Sequence, residues 1–514
     1  MLSRTYSAAV LGIDAYTIEI EINATGQGEA SFTAIVGLPD AAVKESRDRV
    51  RSALQSSGFV PPKGATLINL APADIKKEGA SFDLPIALGM LSATGKIDRE
   101  LLTKVASIGE LALDGSVRPV KGVLPIALHL SRNIEGIQAL IVPWQNAEEA
   151  SAVAGNVPVI AVNHLVDAVE FFRNGDTLPY KGGLKESPSI DSLRIPDLSE
   201  VKGQFLAKRA LEITAAGGHN VLMVGPPGSG KSMLAKRLPG ILPPMNFDEM
   251  LETSKIHSIL GYLSSGSPLM DLRPFRSPHH TISDAGLLGG GSQVPSPGEI
   301  SLAHNGVLFL DELPEFKRNV LEVLRQPIEN GLVTVARSGG SFTFPARFML
   351  VAAMNPCPCG HYGSMQRECR CSPNRVTKYR AKISGPLLDR IDIHVEVAAL
   401  SEDELISSSQ GENSSAILER VVKARLKQSE RLKNTRIHCN AQMEPAQLQE
   451  FCRLSKSCET QLRHSIRELQ LSARAYDRIL KVSRTIADLE DSEDILSEHL
   501  YESVQYRALD RRLW

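Results

Sequence analysis

The stretch Asn220-Val-Leu-Met-Val-Gly-Pro-Pro-Gly-Ser-Gly-Lys-Ser232 decides the fold class of this chain. Its apolar residues Val221–Val224 predict a buried strand, and the residues from Ser232 onward predict a helix. Between them, the spacing G-x-x-x-x-G-K-S lets backbone N–H groups converge on phosphate oxygens beside a helix N-terminus. Apolar runs alternate with helical segments up to Ala399, so we expect this phosphate-binding loop in a parallel α/β sheet.

Two carboxylates at the end of a second apolar strand complete the expected catalytic set. Val307–Leu310 runs directly into Asp311 and Glu312. We expect Lys231 to reach the β- and γ-phosphates of ATP, and Ser232 and Asp311 to hold Mg²⁺. Glu312 would orient and deprotonate the attacking water, which predicts hydrolysis rather than binding alone. The loop residues expected to contact the nucleotide are Gly225, Pro226, Pro227, Gly228, Ser229, Gly230, Lys231 and Ser232.

Two further polar residues lie where an ATPase would use them. A third apolar segment ends at Asn355, whose amide can hold the attacking water near the γ-phosphate. Arg390 follows a short helical segment that begins at Gly385. Its spacing fits a catalytic arginine, and it fits a surface salt bridge as well.

In this order, these motifs resemble the AAA+ ATPases, in particular the group of magnesium chelatase subunit I and the MCM helicases. The resemblance implies that Asn355 is the sensor 1 residue and that Arg474 is the sensor 2 residue. It also implies that Arg390 is an arginine finger, which stabilises the transferred phosphoryl group in an adjacent subunit. Because such a finger acts between subunits, the resemblance implies a homo-oligomeric ring, a hexamer.

Two segments are candidates for a DNA-binding channel. Residues 272–291 form a long insertion, and residues 333–344 predict a β-hairpin. In the family that the motifs resemble, such segments line the channel of the ring and contact DNA. A structural turn explains the same residues equally well. The candidate DNA-binding residues are Arg276, His279, His280, Arg337 and Ser338.

A cluster of cysteines follows Asn355. Four of the seven cysteines form two C-x-C pairs on a short loop, a pattern that can wrap a tetrahedral Zn²⁺ with four thiolates. The loop has too few apolar residues for a core of its own, and a bound metal would fold it. Free or redox-active thiols are the alternative. The candidate zinc ligands are Cys357, Cys359, Cys369 and Cys371.

The N-terminal third resembles the proteolytic domain of Lon proteases. Ser81, within Lys77-Glu-Gly-Ala-Ser-Phe-Asp-Leu-Pro85, lies where that family carries its nucleophile. A serine nucleophile needs a base, a lysine in that family. The segment that should supply it is apolar, and Lys121 comes too early. We expect a Lon-like α+β domain without peptidase activity.

The remaining organisation follows from composition. We expect a Lon-like domain at residues 1–175, a breaker-rich linker at 176–204, an AAA+ P-loop core at 205–400 that includes the hairpin and the cysteine loop, and a C-terminal helical lid at 401–514. The fold class is therefore α/β for the chain as a whole.

Charge is nearly balanced over the whole chain but not along it. The 57 Lys and Arg against 59 Asp and Glu exclude a protein coated with positive charge. Residues 415–484, in contrast, carry 15 Lys and Arg against 7 Asp and Glu, which fits a solvated helical face or a surface for nucleic acid. No apolar run approaches the ~18 residues of a membrane span, and few cysteines suit a reducing compartment. We therefore expect a cytoplasmic protein without membrane contact.

Over nearly its whole length the sequence resembles the ComM (YifB) family. The features that carry this resemblance are the Lon-like domain, the chelatase-like core, the Cys-Pro-Cys-Gly loop and the helical lid. It implies a hexameric ATP-dependent DNA helicase or translocase that promotes branch migration of recombination joints in natural transformation. Its partner would be single-stranded, forked or three-stranded DNA, and its cofactors ATP, Mg²⁺ and a structural Zn²⁺. The alternatives are a magnesium chelatase-type motor for metal insertion, an ATP-dependent Lon-like protease and a scaffold without motor activity.

Overall fold

The computed structural model describes most of the chain, and its described residues form two compact units. One unit comprises Met1–Pro188 and Phe247–Asp271, and the other comprises Ser189–Asn246 and Leu272–Trp514. Ser338 and most of the expected linker lie outside the described residues. The described residues are 2–26, 32–74, 77, 79–134, 136–174, 179–180, 195–263, 268–291, 295–337, 340–363, 367–400, 411–435 and 437–509.

The strands follow the apolar runs of the sequence. Strands were expected over 221–224 and 307–310 and a hairpin over 333–344, and all are present within a residue of those bounds. In chain order the strands are β1 (Leu2–Leu11), β2 (Asp14–Ala24), β3 (Phe32–Val36), β4 (Ala65–Ala71), β5 (Val105–Ser107), β6 (Glu110–Leu111), β7 (Val117–Arg118), β8 (Ala139–Pro143), β9 (Val159–Val162), β10 (Val221–Val224), β11 (Phe275–Arg276), β12 (Gly289–Gly290), β13 (Ser296–Pro297), β14 (Val307–Leu310), β15 (Leu332–Arg337), β16 (Gly340–Pro345), β17 (Met349–Met354) and β18 (Ile393–Glu396).

Helices alternate with the strands and then dominate the C-terminal part. None of the helices in the described ranges is both long enough and apolar enough to cross a membrane. In chain order the helices are α1 (Ala41–Ser56), α2 (Asp83–Ala93), α3 (Arg99–Thr103), α4 (Val123–Asn133), α5 (Ala147–Ser151), α6 (Leu165–Asn174), α7 (Phe205–Gly217), α8 (Lys231–Arg237), α9 (Phe247–Leu260), α10 (Asp284–Leu288), α11 (Glu299–Leu302), α12 (Arg318–Val323), α13 (Arg325–Asn330), α14 (Pro373–Arg380), α15 (Gly385–Leu388), α16 (Ser414–Arg431), α17 (Pro445–Phe451), α18 (Lys456–Leu469), α19 (Ala473–Leu489) and α20 (Ser497–Gln505).

The first unit is built on a seven-stranded mixed sheet with the order β3-β4-β2-β1-β5-β8-β9. Strand β2 shows why the sequence folds this way, because Ile18, Ile20 and Ile22 are fully buried while the glutamates between them are not. Helix α2 is buried along its whole length, and its Gly89 lies so close to Ile22 that a methyl group there would clash with the isoleucine side chain. The N-terminal part is therefore an α+β unit with its core between the sheet and its helices.

Helix α9 belongs to this first unit although it lies between α8 and β11 in the chain. The Ser258 hydroxyl accepts from the Leu124 N–H (3.3 Å) and donates to the Glu149 carboxylate (2.9 Å). Burial raises the pKa of Glu149, while the hydrogen bonds from Asn146 and Ser258 lower it. Residues 247–271 thus pack with the N-terminal unit, whereas the sequence placed them inside the range 205–400.

The second unit contains a five-stranded sheet with the order β11-β14-β17-β10-β18. Its neighbouring strands are all parallel, so their carboxyl ends meet at one edge. Strands β10, β14 and β17 are buried throughout, which is typical of a parallel sheet covered by helices on both faces. Helices α16 to α20 follow this sheet. The expected fold class, an α/β P-loop core followed by C-terminal helices, is confirmed.

Candidate nucleotide site, arginine cluster and cysteine cluster

The phosphate loop Gly225–Gly230 joins the end of β10 to the start of α8. Gly228 and Gly230 have φ angles of 78° and 93°, a left-handed conformation that favours glycine. A Cβ on Gly225 would lie 2.1 Å from the Val397 carbonyl oxygen, so a side chain does not fit there. The glycines of the motif thus give the loop the shape in which backbone N–H groups can face a phosphate.

Lys231, the first residue of α8, is buried in this loop. Its Nζ donates to the carbonyl oxygens of Gly225 (2.7 Å) and Pro226 (2.8 Å) and to Asn355 Oδ1 (3.2 Å). Burial lowers the pKa of Lys231 to about 8, against the attraction of Asp311. Asn355 reaches the lysine because β10 and β17 are neighbours, with Val224 opposite Met354.

The two residues expected to hold Mg²⁺ are in direct contact. Ser232 Oγ donates to Asp311 Oδ2 at 2.5 Å, and Glu312 N donates to Asp311 Oδ1 at 2.9 Å. A hydroxyl and a carboxylate are oxygen ligands that suit Mg²⁺ beside a nucleotide. Glu312 is exposed and has a φ of 52°, which directs it away from the strand path. Lys231, Ser232, Asp311, Glu312 and Asn355 are called the P-loop cluster below.

His280 lies beside Glu312. Its Nδ1 is 3.4 Å from Glu312 Oε2, and its ring stands edge-on to Phe316 and tilted against His279, whose ring centroid is 4.1 Å away. Strands β11 and β14 pair in parallel, which brings the residues after β11 to the carboxyl end of β14. His280 was expected in the channel, and its contact with Glu312 was not expected from the sequence.

The other described candidates for DNA binding differ in their surroundings. The Arg276 guanidinium makes a bidentate pair with the Glu299 carboxylate (2.6 and 2.7 Å). His279 is exposed, and its Nδ1 lies 2.9 Å from Thr281 Oγ1. Arg337 is exposed at the end of β15, in the expected hairpin of β15 and β16. Among the described candidates, Arg337 lies at the end of a hairpin strand.

Arg390 and Arg474 meet at a carboxylate outside the P-loop cluster. Glu329 Oε1 is 2.6 Å from Arg390 Nη2 and 3.6 Å from Arg474 Nη2. Arg390 is buried while Glu329 is 42% exposed, so the structure shows an ion pair at the edge of the surface, and both readings that sequence spacing allowed stay open. Glu329, Arg390 and Arg474 are called the arginine cluster below. No sequence motif singled out Glu329.

The four clustered cysteines face one another. Cys357 Sγ lies 3.3 Å from Cys359 Sγ and 3.7 Å from Cys369 Sγ, and all four sulfurs lie within 4.8 Å of one another. With Zn–S bonds of about 2.3 Å, a tetrahedral site separates its sulfurs by about 3.8 Å. Backbone N–H groups of His361 and Arg370 lower the pKa of Cys359 to about 6, which favours the thiolate. The four thiols therefore fit a metal ion.

The cysteine loop packs against the phosphate loop. Gly360 has a φ of 82°, and a Cβ on it would lie 2.3 Å from Pro227 Cδ. On the other side of the same phosphate loop, Gln204 Nε2 donates to the carbonyl oxygens of Ser229 (3.1 Å) and Ala398 (2.6 Å). Neither of these two contacts was expected from the sequence. The glycine of Cys-Pro-Cys-Gly360 was a signal for a tight turn, whereas nothing in the sequence pointed to Gln204.

Three family models match the chain. Residues 197–405 match the model described as "Magnesium chelatase, subunit ChlI", and residues 411–507 match "Magnesium chelatase, subunit ChlI C-terminal". Residues 19–146 match "Subunit ChlI of Mg-chelatase". The matches cover the P-loop cluster, the arginine cluster and the cysteine cluster, and they indicate an AAA+ protein of the magnesium chelatase type. That family suggests ATPase activity.

Whole-length relatives decide the family. The chain is 44% identical to the competence protein ComM of Haemophilus influenzae over 515 residues, which cover 100% of this chain and 98% of that protein. The chain belongs to the ComM/YifB family. It is also 43% identical to the uncharacterized protein YifB of Escherichia coli over 514 residues, with the same coverage. The magnesium-chelatase subunit ChlI of Euglena gracilis is more distant, with 25% identity over 36% of this chain and 53% of that protein.

Proposed function

We propose that this ComM/YifB-family chain is an ATP-hydrolysing motor that assembles into a hexameric ring and moves along DNA. Its task would be branch migration of recombination joints during natural transformation. The observation that carries the proposal is the division between the two clusters. The P-loop cluster is assembled, whereas the two arginines expected to complete ATP hydrolysis are held together at Glu329.

The P-loop cluster supports hydrolysis through the placement of each side chain. Lys231 would exchange its loop carbonyls for the phosphates, and Ser232 and Asp311 would hold Mg²⁺. The metal ion would neutralise charge on the phosphate oxygens. Glu312 is exposed beside Asp311 and would take a proton from the attacking water, while the Asn355 amide orients that water.

The position of the arginines supports a ring. Arg390 and Arg474 come from two different elements and converge on one surface glutamate, as residues offered to a neighbouring chain would. An arginine supplied by another subunit makes hydrolysis depend on assembly. A closed ring of identical chains satisfies every such interface.

We propose DNA as the polymer along which the motor moves for two reasons. The hairpin β15–β16 carries the exposed Arg337 at its end, where it can contact phosphate groups. The H. influenzae relative is named a competence protein, and we extend that role to this chain. Arg276, His279, His280 and Ser338 remain candidates of the same channel, although Arg276 is already paired with Glu299.

For the remaining segments we propose the roles expected from the sequence. Residues 1–175 would form a Lon-like domain without peptidase activity, 176–204 a linker, 205–400 the ATPase core and 401–514 the lid. At the segment where the Lon pattern places its lysine, Val123, Leu124 and Ile126 are buried and apolar, which supports the loss of peptidase chemistry.

For the cysteine cluster we propose a structural Zn²⁺. Metal analysis should find about one zinc per chain, and Cys357→Ser combined with Cys371→Ser should lose it because two thiolates cannot hold the site. The matched control is Cys439→Ser with Cys458→Ser, two buried thiols outside the cluster. A wild-type chain without zinc, or a control that loses it, would contradict the assignment.

The decisive experiment is ATP-dependent unwinding of forked and three-stranded DNA by the full chain. Wild type should unwind both, and Lys231→Ala should unwind neither while keeping its fold by circular dichroism. DNA affinity should fall steeply with salt because phosphate contacts release counterions. ATP hydrolysis without any unwinding or DNA binding would overturn the DNA motor.

The same preparation tests the alternatives. A magnesium chelatase-type motor is the second candidate because all three family models carry that description. It predicts ATP-dependent metal insertion into a porphyrin in the presence of partner subunits. A Lon-like protease predicts ATP-dependent casein degradation that disappears in Ser81→Ala. A scaffold predicts that Lys231→Ala keeps biological activity.

A further inference from the structure

Glu329 joins three elements of the second unit at a single oxygen atom. It lies near the end of α13, and its Oε1 contacts Arg390, which follows α15, and Arg474 in the first turn of α19. The hydrogen bond from Arg390 lowers the pKa of Glu329, so the carboxylate stays charged between the two guanidinium groups. Both arginines expected to act on ATP therefore share one acidic partner.

The Arg390 side chain is held rather than free. Its Nη1 donates to the Pro386 carbonyl oxygen at 2.6 Å, its Nη2 pairs with Glu329, and the side chain is only 6% exposed. Its Nε is buried without a hydrogen-bond partner among the described residues. Arg474, in contrast, is 54% exposed. A phosphate approaching this surface would meet Arg474 first and would have to draw Arg390 away from Glu329.

Carboxylate and phosphate compete for the same guanidinium geometry. Arginine binds both through charge-assisted hydrogen bonds, often with two parallel N–H groups. An arginine that leaves Glu329 must therefore find a phosphate or lose a charged partner, which is costly for a buried guanidinium. The strength of the ion pairs with Glu329 thus sets how strongly a phosphate must bind the arginines before they change partner.

Glu329 also lies directly before the hairpin. Gly331, with a φ of 65°, separates α13 from β15, and a Cβ there would meet the Arg347 side chain at 2.8 Å. The backbone between Glu329 and the hairpin is therefore short and closely packed. Only two residues separate Glu329 from β15, the strand that ends in Arg337.

We propose that Glu329 is a positioning residue. It binds Arg390 and Arg474 until both arginines leave it for the phosphates of ATP in the adjacent subunit. The exchange releases α13 and so couples nucleotide state to the hairpin β15–β16. This inference rests on the proposed function, since it needs arginines that act between subunits.

The test is Glu329→Gln in the full-length chain, which keeps the shape of the side chain and removes its charge. The ATP concentration at half-maximal rate should fall by up to about fivefold, the worth of an ion pair of this exposure. The maximal rate should stay within about twofold, and stimulation of hydrolysis by single-stranded DNA should be lost. A purely structural role would instead lower the melting temperature and leave the half-maximal concentration and DNA stimulation unchanged.

Two further variants keep the result decisive. Glu322→Gln is the matched control, because Glu322 lies on the preceding helix, pairs with Arg325 at 2.6 Å and shares neither arginine. It should behave as wild type. If Glu329→Gln does not fold, Glu329→Asp replaces it, since its carboxylate is one methylene too short to hold both arginines and should shift the same two quantities.

Arg390→Ala separates this inference from the proposed function. If Arg390→Ala loses turnover while both Glu329 variants match wild type in ATP dependence and DNA stimulation, Glu329 has no positioning role and the inference is overturned. If Arg390→Ala keeps full turnover, the finger itself is wrong, and the proposed function fails before Glu329 is in question.

Discussion

The P-loop cluster and the arginine cluster, which we propose to serve one ATPase reaction, are built differently. In the P-loop cluster, three neighbouring parallel strands deliver Lys231, Asp311 and Asn355 to one edge, and the side chains already touch or share partners. In the arginine cluster, Arg390 and Arg474 find their partner in Glu329. A single chain thus assembles the P-loop cluster from its own strands, while its two arginines pair with Glu329 outside that cluster.

Removing Arg390 should have the largest effect. Arg390→Ala should lower the maximal ATPase rate about 10³-fold, the lower end of what an arginine finger contributes. Mixed with Lys231→Ala chains, it should regain activity, because the Lys231→Ala chain still supplies Arg390 to an intact phosphate loop. A mixture as inactive as its components would contradict a role of Arg390 between chains, since Arg390 would then act on ATP bound to its own chain.

Glu312 tests the role of the P-loop cluster. Glu312→Gln should lower the maximal rate about 10²-fold or more while ATP still binds, because the general base is lost and the phosphate contacts remain. Single-turnover kinetics and nucleotide binding measure the two effects separately. The exposed Glu315→Gln, a neighbour that pairs with Lys382, is the control and should keep the wild-type rate. Undiminished hydrolysis in Glu312→Gln would remove this residue from catalysis.

Gly360 tests whether the cysteine loop supports the P-loop cluster. Gly360→Ala should weaken ATP binding about tenfold, because its Cβ would push Pro227 and a left-handed alanine is strained by about 1–3 kcal/mol. Gly363→Ala is the matched control, with a φ of 79° but no atom within 4 Å of the added Cβ. Equal binding by the two variants would show that the contact with Pro227 has no role in nucleotide affinity.

His280 should show the smallest effect. His280→Ala should lower the ATPase rate without DNA by up to about fivefold, because the lost contact with Glu312 is long and half exposed. His464→Ala removes a similar histidine–glutamate pair, at 3.6 Å, from the exposed face of α18 and should change nothing without DNA. If His280→Ala weakens only DNA binding, the residue belongs to the channel and not to the P-loop cluster.

Short-range patterns predicted the P-loop cluster because each of its parts is local. The glycines, lysine and serine of the phosphate loop have fixed spacing, and Asp311 and Asn355 each end an apolar strand. Parallel strands then place their ends together whatever lies between them. The cysteine cluster was predictable for the same reason, since two C-x-C turns on one loop can only face each other over a short distance.

Contacts between distant segments could not be predicted in this way. The packing of α9 with the N-terminal unit includes the hydrogen bond from Ser258 to Glu149. The periodicity of neither segment predicts this contact. His280 was expected in the channel because the family that the motifs resemble lines its channel with such insertions. Its contact with Glu312 depends on the pairing of β11 with β14, which no local pattern predicts.

The sequence by itself determined the candidate chemistry of this protein: a phosphate loop, a serine and an aspartate proposed to hold Mg²⁺, a candidate base and four clustered thiols. These features depend on residue type and local spacing. Residues at a fixed local spacing are placed by the geometry of the backbone alone. The tertiary structure decided the partners: Asn355 at Lys231, Gly360 against Pro227, and Glu329 between Arg390 and Arg474. Those pairs join separate elements, and only the packing of strands and helices fixes which charges and surfaces meet.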